Sequence, residues 1–398
     1  MRIRELRAEN WRNLEPLTLV PGDRLSVLYG DNGQGKTNVI EAAYYLAVLR
    51  SFRTSHAEDL ITRGTPSGSP NPPAMGSARQ SLAPPDAIRR AGGGDGPVTA
   101  RLRAEILHRG LERRFEIELR PTGRIARLDG KVVRGTAAAL GAVSVVLFVP
   151  EDLLLPRAAP STRRRFLDLA IFNIERGYYD EASAFQKVLK NRNALLKRGP
   201  ADPMLLDTYD EELARTGARV VMRRRALVAS LQPLFREHFR ALHSELPVSL
   251  AYTSDPDVAQ ADDEDGVRGR LHAGLTARRG LDERRRFTGF GPHTDDLEIG
   301  LQGAPARSHA SQGQLRSLVL ALKLAELSNV EARLGDPPVL LLDDVPSELD
   351  PARRALLFDV IGRLDCQTLI SVTERDIVPA QPARRDFLVR AGSVVENP

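Results

Sequence analysis

A single cysteine, Cys366, stands in this chain of 398 residues. It excludes an intrachain disulfide and a zinc site built on cysteine pairs. Its neighbours are apolar, which places it in a core. Long hydrophobic runs are also missing. No stretch approaches the roughly 20 consecutive apolar residues that span a bilayer. The start, Met1-Arg2-Ile3-Arg4-Glu5, lacks the apolar centre of a signal peptide. These two absences predict a cytoplasmic protein with no membrane association. Lysine is scarce beside arginine. Arginine suits bidentate phosphate contacts, and a net charge of +5 fits a polyanionic partner. Coding bias accounts for most of that excess. What is present is an ordinary globular balance, with 42% apolar and 27% charged residues. The length is enough for two or three lobes.

Residues Met1–Gly64 read as strand, strand, phosphate loop and helix. Leu25–Tyr29 is an apolar run, and Thr37–Leu49 spaces Val39, Ile40, Ala43, Tyr44 and Ala47 on one helical face. Thr65–Pro97 is dominated by Pro, Gly, Ser and Ala and reads as a mobile surface insertion. Val98–Phe148 reads as β-hairpins, with Asp129-Gly130 as a tight-turn pair and Val143–Val149 as a buried strand. Pro160–Leu246 is mostly helical, broken at Gly199-Pro200. Pro247–Tyr252 is a strand, Asp255–Gly266 an acidic loop and Val267–Gly280 a helix. From Phe287 an α/β pattern resumes.

Gly30-Asp31-Asn32-Gly33-Gln34-Gly35-Lys36-Thr37 matches G-x-x-x-x-G-K-[ST] between a strand and a helix. Glycines let backbone wrap phosphates, and the helix N-terminus supplies free N–H groups and a positive dipole end. Lys36 is expected to reach the β- and γ-phosphates of ATP, and Thr37 to ligate Mg2+. Val339–Leu342 is an apolar strand ending in Asp343 and Asp344, the Walker B pattern. Asp343 is expected to hold Mg2+, directly or through water, and Asp344 to act as general base. Ser311-Gln312-Gly313-Gln314 resembles the ABC signature, with glutamine for its first glycine; a plain helix cap is the alternative reading. Ser347-Glu348-Leu349-Asp350 resembles the ABC D-loop, which lies across a dimer interface. The order of these motifs is that of ABC ATPases. Such sites close only between two half-sites, so ATP is expected to favour a homodimer.

Further segments resemble the RecF family. They are Leu6–Leu14 with Trp11-Arg12-Asn13, Ser51-Phe52-Arg53-Thr54, Phe148–Leu153 followed by Arg163–Asp168, Gly291–Leu297, and Leu342–Asp350. The resemblance covers nearly the whole chain outside Thr65–Pro97. It implies an α/β fold: an ABC-type P-loop ATPase head, with a mixed sheet, flanking helices and a β-rich subdomain, interrupted by a compact helical arm domain. The expected division is 1–150, 151–286 and 287–398. The resemblance also implies ATP-dependent dimers that bind duplex and gapped DNA without sequence preference. They act with RecR and RecO to help load recombinase at gaps, with weak DNA-stimulated ATP hydrolysis. The switch histidine of ABC ATPases is missing, and Thr373 is the nearest residue to its position. Asp344 replaces the glutamate usual in SMC-type proteins, which fits slow turnover.

Three arginine triplets are candidate phosphate contacts: Arg163–Arg165, Arg223–Arg225 and Arg284–Arg286. Solvated helix faces are the alternative. His293, Asp295 and Asp296 lack a fourth ligand and read as a loop near the nucleotide rather than a metal site. Three rivals remain. They are a transporter ATPase subunit, an SMC-type coiled coil and a non-hydrolysing DNA scaffold. Pro200, Pro203, Pro233 and Pro247 argue against a long coiled coil.

Overall fold

The computed structural model describes residues 1–54, 56–62, 99–121, 123–133, 143–199, 202–243, 245–381 and 383–397. The insertion expected at Thr65–Pro97 lies outside the described residues. In chain order, β1 (Arg2–Glu9), β2 (Leu17–Leu19) and β3 (Leu25–Tyr29) lead into α1 (Lys36–Val48). Then come β4 (Ala100–His108), β5 (Leu111–Arg120), β6 (Gly123–Leu128), β7 (Lys131–Val132) and β8 (Val145–Phe148). A helical block follows: α2 (Pro160–Ile174), α3 (Tyr178–Lys197), α4 (Pro203–Leu242), then β9 (Val248–Thr253) and α5 (Glu264–Arg285). The last part holds β10 (Asp296–Leu301), β11 (Ala304–Pro305), α6 (Gln312–Leu334), β12 (Val339–Asp343) and α7 (Pro351–Arg363). It ends with β13 (Thr368–Val372), β14 (Arg384–Arg390) and β15 (Ser393–Asn397).

The sheet that carries the site has the strand order β15-β14-β3-β13-β12-β8. All of its strands except β15 run parallel. Parallel strands covered on both faces read as continuous apolar runs, and the alternation shows where each face goes. Leu25, Val27, Val146, Leu340, Leu342 and Ile370 join the core on the helical side. Leu28, Val145, Val339, Leu341 and Leu369 join a second core with α1 and the antiparallel sheet β2-β1-β4-β5-β6-β7. The turn expected at Asp129-Gly130 links β6 to β7. Both residues have positive φ, 52° and 77°, as a two-residue mirror-type hairpin requires. A three-stranded sheet, β11-β10-β9, packs with the helical block and joins residues on both sides of position 287.

Two local expectations are corrected. Asp255–Gly266 is not a plain acidic loop: it holds a short helix, Pro256–Ala259, and the first turn of α5. Asp255 accepts from the backbone N–H of Asp257, and Asp263 from that of Gly266. These aspartates act as helix caps, which supply the partners that a first turn lacks. Pro233 does not interrupt the helical block; α4 runs through it for 40 residues. The break expected at Gly199-Pro200 falls between α3 and α4. The block is pinned from inside by Arg192, which is fully buried. Its Nε donates to Asp210 at 2.7 Å, and its Nη1 to Asp282 at 2.8 Å and to Thr288 at 2.7 Å. Those bonds tie α3 to α4 and α5. Among the described residues no helix is long and apolar enough to cross a membrane.

Candidate nucleotide site

The phosphate loop leaves β3 at the carboxyl end of the parallel strands, where open α/β sheets place ligands. Its glycines are dictated by space. Gly30 has φ 142°, and a Cβ there would lie 2.4 Å from the Val389 carbonyl oxygen. Gly35 has φ 118°, and a Cβ would lie 2.9 Å from Leu14. Asp31, Asn32 and Gly33 form the exposed crest. Gln34 anchors the loop to the turn between β14 and β15. Its side chain accepts from the Ala391 N–H at 2.7 Å, and its carbonyl from that of Gly392 at 2.9 Å.

Lys36 opens α1 and is buried. Its Nζ donates to the carbonyls of Gly30 at 2.6 Å and Asp31 at 2.9 Å, which holds the ammonium across the loop. Burial pulls it below the ordinary lysine range, while Asp344, Asp343 and Asp31 pull it up. Thr37 Oγ1 donates to Asp343 Oδ1 at 3.0 Å. Two hard oxygen donors thus converge beside a cradle of free N–H groups, the ligand chemistry that suits Mg2+ and phosphate. Burial raises the Asp343 carboxyl, and the hydroxyls of Ser371 and Thr37 hold it down.

Asp344 turns the chain out of β12 with φ 53°. Its carboxylate accepts from Ser347 Oγ at 2.6 Å. The register of β3 and β13 ends at the Val372–Tyr29 pair. Thr373 therefore follows at the level of Gly30 and is half-buried.

Ser311 is the N-cap of α6. Its Oγ accepts from the Gln314 N–H at 3.2 Å, and Gln314 Oε1 accepts from the Ser311 N–H at 2.8 Å. The capping role is thus real, and the motif still presents itself: Ser311 and Gln312 are exposed. Gly313 is crowded, since a Cβ there would meet Arg353 at 2.8 Å. Asp350 caps α7 and pairs with Arg353, whose Nε donates to Ser317 on α6 at 2.9 Å. Arg353 so joins the signature segment to the D-loop segment. Among the described residues no hydrogen bond links Ser311–Gln314 to the phosphate loop.

Ser371 and Glu41 were not singled out in the sequence reading, whereas Trp11-Arg12-Asn13 and Ser51–Thr54 were, as family-like segments without an assigned role. Ser371, on β13, donates to Asp343 at 2.6 Å. Trp11-Arg12-Asn13 and Ser51–Thr54 brace the loop. Trp11 Nε1 donates to the Asn38 carbonyl, and Asn13 accepts from Asn38 Nδ2 at 2.6 Å. Arg12 grips buried Glu41 through two bonds of 2.8 Å, and Ser51 Oγ donates to the same carboxylate. The one available signal was a polar residue inside an otherwise apolar run, as at Glu41 and Ser371.

Two of the three arginine triplets need correcting. Arg163 is buried and pairs with Asp296 at 2.6 Å. Arg224 is buried and grips Asp168 through bonds of 2.9 and 3.0 Å. Arg223 pairs with Glu175 and Glu181, and Arg225 bonds the carbonyls of Ala261 and Val258. Arg165 and Arg284–Arg286 stay exposed. The loop that carries His293, Asp295 and Asp296 is held by the helical block and β9. Its bonds run to the helical block, through Arg224 to Pro292, Arg164 to Asp295 and Tyr252 to Asp295. Among the described residues no group of three metal-ligating side chains occurs. A cleft of about 1320 Å³ lies between the end of α1, the Ser51–Thr54 segment and helices α2 to α4. Arg50, Arg53, Arg124, Arg164, Arg165 and Arg224 line it, and Asp168 is its one acid among the described residues.

No family model matches the chain. A curated relative from Anaeromyxobacter sp. (strain K), the DNA replication and repair protein RecF, is 39% identical over 402 residues and covers 99% of both chains. A solved structure of the recombination mediator protein RecF-ATP in the RecFOR pathway superposes with a TM-score of 0.84. It is 29% identical and covers 100% of this chain and 97% of that one. An Smc head bound to the C-winged helix domain of ScpA superposes with a TM-score of 0.54 at 15% identity, over 99% and 97% of the two chains. That likeness shows the fold alone, an ABC-type ATPase head. On its relatives and its architecture together, the chain belongs to the RecF family of DNA replication and repair proteins.

Proposed function

We propose that this chain is an ATP-dependent DNA clamp in which ATP binding drives homodimerisation and hydrolysis releases it. One observation carries the reading: Lys36, Thr37 and Asp343 converge on one point, while Ser311 is exposed on a different helix end with no bond to them. A second copy would bring Ser311, Gly313 and the D-loop to the triphosphate. The solved RecF-ATP relative supports ATP as the nucleotide.

In this reading Gly30–Thr37 wraps the phosphates and Lys36 neutralises the β- and γ-oxygens. Thr37 and Asp343 would hold Mg2+, which supplies positive charge at those oxygens when bound. Asp344 accepts the proton of the water that attacks the γ-phosphorus, and Thr373 stands at the switch position. The head formed by 1–150 and 287–398 would act with 151–286 as its arm.

DNA is the polyanion of choice because the relatives are DNA replication and repair proteins. The cleft gathers the cations for it, drawing Arg164, Arg165 and Arg224 from two of the triplets and adding Arg50, Arg53 and Arg124. Asp168 is paired with Arg224, so the described lining keeps a positive excess toward a phosphate chain. Binding should then weaken steeply with salt. RecR and RecO enter as partners through the family.

Light scattering with ATP, ADP and no nucleotide, each with and without DNA, tests the clamp. A dimer with ATP that dissociates with ADP is the expected result. A lasting monomer under saturating ATP and DNA overturns it. The bond from Ser347 to Asp344 favours one second reading, a DNA scaffold that binds ATP without hydrolysing it. Single-turnover hydrolysis separates the two.

A further inference from the structure

Ser371 is not part of any motif named above, yet its hydroxyl touches both halves of the Walker B pair. It sits on β13, between the strand that feeds the phosphate loop and the strand that ends in Asp343. Register places it directly beside Asp343 on one side and Leu28 on the other. It is fully buried. Its Oγ donates its one proton to Asp343 Oδ1 at 2.6 Å and accepts from the Asp344 N–H at 3.0 Å. The same Asp344 N–H also reaches the Ser371 carbonyl at 3.0 Å.

We infer that Ser371 is a positioning residue for the metal-nucleotide site, acting through Asp343 and Asp344. The inference rests on the function proposed above. A carboxylate on a strand end has a free rotation about its last bond, and one oxygen must be turned toward the cation. Thr37 alone holds Asp343 Oδ1 from the loop side, and its hydroxyl is itself an expected ligand. Once Thr37 turns its oxygen to the cation, Ser371 is the hydroxyl that still fixes Oδ1. That leaves Oδ2 as the oxygen free to ligate. The second bond acts on Asp344. It pins the N–H at the residue where the chain enters a left-handed conformation, which is strained for a residue with a side chain. One hydroxyl therefore sets the aim of the ligand and the bend that carries the base. Outer partners of metal ligands commonly shift metal affinity by about 10- to 100-fold.

The test titrates a fluorescent ATP analogue onto the full chain, with EDTA and with stepped Mg2+. In the unaltered chain Mg2+ tightens nucleotide binding. Ser371→Ala is expected to raise the Mg2+ concentration for half of that effect by about 10- to 100-fold, with affinity in EDTA retained. Ser371→Thr keeps the hydroxyl and suits a strand, so it restores most of the Mg2+ response. An unchanged Mg2+ midpoint in Ser371→Ala overturns the inference. So does an equal loss with and without Mg2+, which would mark a merely structural hydroxyl. If the alanine variant does not fold, Ser371→Cys, a near-isostere with a weak donor, is read against the same outcomes. Absence of any Mg2+ effect in the unaltered chain is a different failure, because it removes the metal site and with it the function proposed above.

Discussion

Lys36 and Lys323 are two of the few lysines in a chain that otherwise uses arginine, and both are buried. Each places a compact charge among several oxygens. Lys323 lies 3.2 Å from Glu326 and 3.6 Å from Asp152, above the Phe166 ring. Burial depresses its ammonium, and the two carboxylates outweigh that and raise it. A planar guanidinium cannot replace such a point charge. Lys36→Arg should therefore lower ATP affinity or turnover by at least about 10-fold, a loss of ~1.4 kcal/mol, checked by steady-state hydrolysis and nucleotide titration.

A second residue has a pH consequence. Burial lifts the Asp295 carboxyl to about 6, against the bond from Tyr252 and the nearby Arg224 and Arg164. Its folded value lies above its unfolded one, so its contribution to stability is full below about 4 and is lost as pH rises through about 6. Asp295→Asn should raise the melting temperature at pH 8 by a few degrees more than at pH 4. Thermal scans at the two pH values check this, and an equal shift at both contradicts it.

At the scale of elements, Arg192 is the pin among α3, α4 and α5. Its removal leaves Asp210 and Asp282 buried with fewer partners, which typically costs about 3–5 kcal/mol. Arg192→Ala should show that loss in urea denaturation, and a change below about 1 kcal/mol would mean the charges relax into water.

The sequence made the contiguous parts legible. Strands β3 and β12 announce themselves because a strand buried on both faces is apolar along most of its length. Lys36, Thr37 and Asp343 sit inside runs whose spacing is itself the geometry. Two of the three arginine triplets, Arg163–Arg165 and Arg223–Arg225, were misread as whole clusters because three consecutive residues on a helix point about 100° apart. One of each must turn inward where the helix is covered, as Arg163 and Arg224 do. Ser371 and Arg353 were invisible for another reason: their partners lie in other elements and are set by strand register and helix packing. Asp255 and Asp263 were read as loop, since aspartate serves loops and helix caps alike.

For the whole molecule, the proposed dimer makes one sharp demand. Ser311 must lie against a second copy's nucleotide while doing nothing for ATP binding within its own. Ser311→Arg should block ATP-driven dimerisation and leave monomer nucleotide affinity intact. Light scattering beside nucleotide titration checks both halves, and a normal ATP-dependent dimer contradicts the interface.

The helix that starts at Ser311 packs along α4, and α4 has 40 residues. At 1.5 Å per residue it is a rod about 60 Å long, so a tilt of about 5° at one end becomes a travel of about 5 Å at the other. A tilt of that size would carry about one helical turn of travel to the far end.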